Sequence, residues 1–147
     1  MSFLIFNPSR NLAQDCINLR AEVAHYAQMA KETKEVSHAT TYIKNQAHAL
    51  RLLKEIHITL LKQAEAHCRQ LVEQLGGASH SITEADYAEP LLLKKFKMAV
   101  RVFVMNAAQC DKLYKTRMLK THDNPVTEMR HHLGRWLIQA KRAGWAM

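Results

Sequence analysis

Residues 91–119 read LLLKKFKMAVRVFVMNAAQCDKLYKTRML. At 100° per residue, Leu93, Phe96, Val100, Phe103, Ala107, Cys110 and Tyr114 recur at steps of three and four, which is one continuous apolar helix face. Met98, Val102, Met105 and Leu113 form a second apolar arc, and no charge stands between Val102 and Cys110. A helix that is apolar over most of its circumference is normally buried by several neighbours. The stretch is therefore expected at the centre of a helical bundle or at a subunit interface. One narrow arc stays polar: Lys94, Lys97, Arg101, Lys112 and Lys115 fall within about 60° of one another. Such a row is either a ridge for phosphates or acidic groups, or a strip of long side chains facing water.

On either side the chain continues to read as helices. Asn7-Pro8-Ser9 is a helix start, with Asn7 as cap and Pro8 at the first position. Leu12, Cys16, Leu19, Val23, Tyr26 and Ala30 then share a face, which fades near Val36. Ser37, Thr40 and Thr41 are candidate caps for a second helix from about Thr40 to Leu75. Its apolar face is Ile43, Leu50, Leu53, Leu60, Ala64, Leu71 and Leu75, and Gly76-Gly77 is expected to stop it. Residues 76–90 read as a linker. Ser81-x-x-Glu84 and Thr83-x-x-Asp86 resemble capping boxes, so a short helix is expected around Glu84–Ala88, with Pro90 opening the central helix. After Lys120, Asp123 or Asn124 caps a last helix opened by Pro125 and ended by Gly144. Its inner face is Val126, Met129, Leu133, Trp136, Leu137 and Ala140.

Composition supports this outline. The chain is 147 residues long, as one domain over 1–147 would be, and 48% hydrophobic, enough for a core without covalent staples. Four glycines and three prolines leave long uninterrupted segments, which favours helices over sheet. The expected fold is all-α: an antiparallel bundle of four main helices with a short helix in the 76–90 linker. Cys16, Cys68 and Cys110 are odd in number and form no C-x-x-C, so they read as buried free thiols in a reducing, cytoplasmic setting. No run approaches the roughly 18 apolar residues of a membrane span. Residues 1–6 are apolar at Phe3, Leu4, Ile5 and Phe6 but lack a basic leader. They are expected to pack as a flap beside the first helix, or to dock on a partner.

The charge is uneven. Residues 1–90 hold 9 Lys+Arg and 10 Asp+Glu, whereas residues 91–147 hold 12 and 3, so the formal net charge of +8 lies in the C-terminal part. Asymmetry of this kind steers acidic partners.

Candidate sites follow from spacing. Glu22/His25 and Glu128/His131 are Glu-x-x-His pairs of the kind that supply ligands in di-iron carboxylate bundles. Glu128 and His131 lie opposite Val126 and Leu133, however, and His25 is off the Leu19/Val23 face. His132-Leu133-Gly134-Arg135-Trp136 resembles the C-x-L-G-x-W signature of bacterial chemoreceptor-type zinc-binding domains, with a histidine in place of the cysteine. That family's later H-x-x-x-H has no counterpart here, and its zinc site is not carried over. Arg51 and His57 resemble the R-x(4–6)-H pattern of HEPN-family ribonucleases, which implies a metal-independent nuclease. Six residues of helix set the two side chains about 240° apart. His57 and His67 are expected as core histidines hydrogen-bonded across the bundle, or as part of a metal site with Cys68. No P-loop, dinucleotide-binding glycine pattern, G-x-S-x-G or H-E-x-x-H occurs.

The sequence thus nominates no catalytic residue, no metal ligand and no cofactor. The leading expectation is a non-enzymatic interaction protein: an adaptor, regulator or assembly factor with an acidic protein partner. Phe3, Ile5, Met98, Val102 and Met105 are its expected partner or homodimer interface. The alternative is nucleic-acid binding, with Lys94, Lys97, Arg101, Lys112, Lys115, Arg130, Arg135, Lys141 and Arg142 on phosphates.

Overall fold

A computed structural model describes residues 11–78 and 82–142, with side chains for 11–74 and 91–142. Among these residues the protein is all-helical, with no strand. Its four helices are α1 (Leu12–Glu32), α2 (Val36–Ala78), α3 (Ile82–Tyr114) and α4 (Val126–Arg142). No helix among the described residues is long and apolar enough to cross a membrane.

α1 begins at a side-chain cap. Asn11 is extended (φ −107°, ψ 102°), and its Oδ1 accepts from the N–H groups of Ala13 and Gln14 at 3.0 and 3.2 Å. These are donors that the first turn leaves without helical partners. The described helix therefore starts from Asn11, and the Asn7-Pro8-Ser9 signal lies outside the described residues. α1 ends at Glu32, where the Thr33 N–H bonds the Met29 carbonyl.

α2 starts at Val36, a turn earlier than Thr40. Thr40 and Thr41 are inside the helix and do not cap it: their hydroxyls donate to the Val36 and Ser37 carbonyls at 2.9 and 3.1 Å. A threonine hydroxyl can close on the carbonyl four residues back as readily as it caps. Gly76-Gly77 does not end α2, which reaches Ala78. Glycine costs a helix about 1 kcal/mol against alanine but does not forbid it.

α3 also differs from expectation at both ends. The separate helix around Glu84–Ala88 and the start at Pro90 are replaced by one continuous helix from Ile82. Proline gives up one N–H bond, but its fixed φ is already helical. At the other end α3 stops at Tyr114, five residues short of Leu119. There the Thr116 N–H and hydroxyl both reach the Leu113 carbonyl, at 3.1 and 2.6 Å. That carbonyl is one of the orphans of the last turn, and successive turns then carry the chain to His122. α4 opens as its sequence indicated: Asn124 Oδ1 accepts from the Val126 N–H at 3.0 Å, and the Pro125 carbonyl accepts from Met129.

The residues group into two units. The first comprises Met1–His57 and Cys110–Asp123. Its apolar interior includes Cys16, Leu19, Tyr26, Leu50, Leu53, Cys110, Leu113 and Leu119. It also buries Asp15, Asn45, Lys54 and His57. The second unit comprises Ile58–Gln109 and Asn124–Met147. Leu61, Ala64, Cys68 and Leu71 of α2 are buried there, with Phe96, Ala99, Phe103 and Ala107 of α3 and Val126, Met129, Leu133 and Ala140 of α4. The Trp136 indole N–H donates to Glu65 Oε1 at 2.7 Å and ties α4 to α2.

Candidate docking surface

In the second unit α3 divides into two faces. Phe96 and Phe103 are fully buried, with Ala107 beside them in the expected stripe. On the opposite side Leu91, Met98, Val102 and Met105 remain 54, 55, 37 and 68% exposed. Met98, Val102 and Met105 belong to the second arc read in the sequence, and no described side chain covers them fully. Leu113, assigned to the same arc, is buried in the first unit. Within the single chain one face of α3 is core and the other meets solvent, so the placement at the centre of the bundle is corrected, and the alternative placement at a subunit interface is not tested by one chain.

The exposed face has a second wall. Leu60, Gln63, Ala64 and His67 of α2 line a shallow groove of about 200 Å³ with Met98, Ala99 and Val102 of α3. Pockets for small ligands usually hold about 300–1,000 Å³ and enclose most of the ligand. This groove is smaller, open and apolar, which suits a side chain of a larger partner better than a free metabolite. The α2 wall was not anticipated from sequence, although Leu60, Ala64 and His67 are spaced four and three apart on one helix edge.

The charged surroundings are basic. Lys94, Lys97 and Arg101 are exposed on α3, and Arg130, Arg135, Lys141 and Arg142 are exposed on α4, all in the second unit. Lys112 and Lys115 are exposed in the first unit. Lys115 lies one residue beyond the end of α3, so the row read on one helix wheel stops at Lys112. Lys95 is also exposed and escaped the sequence reading because it flanks the apolar arc on its other edge. Phe3 and Ile5 lie outside the described residues.

The remaining candidates do not assemble. Arg51 is exposed whereas His57 is buried, 4% exposed, with its Nε2 3.1 Å from Arg20 Nη2. A guanidinium can only donate, so Nε2 accepts and the ring proton sits on Nδ1. The two members of the nuclease-like pair therefore share no surface. Lys54 reaches His122 Nδ1 and Glu55 Oε1, both at 3.3 Å, which places a second imidazole against a buried cation in the first unit. His67 is exposed at the groove and is not a core histidine. The 10-residue step turns it about 80° away from His57. Cys68 is fully buried, and burial, with Glu65 nearby, pushes its thiol up to about 12, so it offers no thiolate at neutral pH. His25, Glu128 and His131 are exposed, and Glu128 faces His132 at 3.9 Å. Glu22 Oε2 and the Tyr114 hydroxyl are buried without a hydrogen-bond partner among the described residues. No group of three or more His, Cys, Asp or Glu among the described residues is placed to hold a metal.

No protein family, characterised protein or solved structure matches this chain.

Proposed function

We propose that this chain is a non-enzymatic interaction protein, an adaptor, regulator or assembly factor, that engages a protein partner through the exposed α3 face of its second unit. One observation carries the reading: Leu91, Met98, Val102 and Met105 form a line of exposed apolar side chains on a helix whose other face is core. Scattered exposed leucines are ordinary, but aligned apolar residues beside an apolar groove favour association. Methionine is well suited to such a surface because its unbranched thioether adapts to different partners.

The basic residues alone would also suit phosphate contacts, and all nine are exposed. The centre of the face is apolar, however, and a phosphate backbone does not cover such surface. The reading takes neighbouring helices as antiparallel, since residues 33–35 alone join α1 to α2. It takes the cytoplasm as the setting for three free buried thiols.

A photoreactive side chain at Val102 of the full chain, in the cells that make it, tests this reading. Discrete protein adducts that resist nuclease and are absent from the exposed control position Glu73 are expected. Nuclease-sensitive adducts, or the same adducts at both positions, would overturn it.

A further inference from the structure

The exposed α3 face has a length, a shape and a charge, and together they define what fits it. Leu91, Met98, Val102 and Met105 follow at steps of seven, four and three, the spacing of a helical seam. From Leu91 to Met105 the seam runs roughly 21 Å, about four helical turns. At the middle of the seam, beside Met98 and Val102, the shallow groove along α2 adds an apolar floor at Ala64 and Ala99. A helix laid lengthwise covers such a strip with side chains at i, i+3/i+4 and i+7.

Every charged residue between Leu91 and Gln109 is basic: Lys94, Lys95, Lys97 and Arg101. All four are exposed, and none takes part in an ion pair among the described residues. On the wheel, Lys94 and Arg101 border one edge of the seam and Lys95 the other, each about 40–60° from Met98. A second copy of this chain would bring the same four cations against them, and like charges placed together across an interface are costly. A partner with carboxylates on both edges of its apolar face gains where a second copy loses.

We infer that the α3 face binds an acidic amphipathic helix of another protein, about four turns long, with apolar side chains in the groove and glutamate or aspartate against Lys94, Lys95 and Arg101. This inference rests on reading that face as a docking surface. It adds the partner's secondary structure and charge.

The test uses the full chain and labelled peptides of roughly 18 residues, followed by fluorescence anisotropy. One peptide carries a leucine seam with glutamate on both edges. A second carries lysine on both edges. A third has the first peptide's composition in scrambled order. The glutamate-edged helix is expected to bind at least about tenfold tighter than either of the others. Met98→Ser with Met105→Ser should weaken it by a similar factor. Lys94→Glu and Arg101→Glu combined with Lys95→Glu should reverse the preference in favour of the lysine-edged peptide, an outcome that misfolding does not produce.

Equal binding of the ordered and scrambled acidic peptides would reduce the effect to bulk charge and overturn the inference. A dimer in sedimentation that Met98→Ser with Met105→Ser dissolves would give the face to a second copy. That result overturns the acidic helix but leaves the docking surface standing. A labelled single-stranded DNA that displaces the acidic peptide and is insensitive to Met98→Ser would overturn both readings.

Discussion

Cys68 shows how far a single side chain is set by where the helix puts it. Its thiol is fully buried, and desolvation, with Glu65 nearby, raises it to about 12 from an ordinary value of 9.0. A group that holds its proton more tightly folded than unfolded stabilises the fold fully below its unfolded value. That contribution is lost as pH rises through the folded value. Between about pH 9 and 12 the native chain should therefore lose stability by up to about 1.4 kcal/mol per pH unit from this residue. Urea unfolding at stepped pH checks it: Cys68→Ala should decline less steeply in that window. Cys16 and Tyr114 are raised in the same direction, mainly by burial, so the variant should keep part of the slope. A second residue-scale prediction concerns Trp136. Its indole bond to the Glu65 carboxylate is short, at 2.7 Å, and partly buried. Trp136→Phe keeps most of the ring and removes the donor, and should cost about 1.5–3 kcal/mol in chemical denaturation. A loss below about 0.5 kcal/mol would show that water replaces the indole there.

Among the elements, α4 carries a glycine with open space around it. A Cβ added at Gly134 meets nothing within 4 Å, and the residue sits in the helix interior. Gly134→Ala should raise stability by about 0.5–1 kcal/mol, read as a higher denaturant midpoint. The same observation bears on the resemblance to a C-x-L-G-x-W signature, since nothing in this structure requires a glycine there. What the sequence revealed of the elements depended on periodicity. The core stripe of α3 from Phe96 to Tyr114 and the α4 face were legible because apolar residues recur at helical spacing. The ends were less so. Thr40, Thr41, Gly76 and Pro90 are punctuation whose local preference a long helix overrides. Of the proposed docking face, the α3 half was readable as a second apolar arc. The α2 half was not, because Gln63 and His67 are polar and only their placement beside Met98 and Val102 makes them a wall. His57 was expected in the core and is buried there, whereas the buried Lys54 was hidden: lysine is a surface residue by type, and only its contact with His122 explains its place.

At the scale of the whole molecule, charge is the dominant feature. The formal net charge is +8 with the histidines neutral; the His38–Glu35 and His132–Glu128 contacts lie at exposed or half-exposed side chains, and Glu55, the partner of the buried Lys54, is itself exposed. Exposed pairs of this kind contribute little, so added salt should relieve more repulsion than it removes attraction. The melting midpoint is expected to rise by about 1–2 °C from low salt to physiological ionic strength. A fall would mean that attractive pairs outweigh the excess of cations.

The methionines of the α3 seam have a chemical consequence of their own. Met98 and Met105 present their thioethers to solvent, whereas Met129 is in the core. Peroxide should therefore convert the first two to sulfoxides before the third, with water as the other product, and peptide mass spectrometry would record the order. Each sulfoxide puts a polar oxygen on the seam. Oxidative stress would thus blunt this surface while leaving the helices folded, and for the docking role proposed above the grip on a partner would then track the redox state around it.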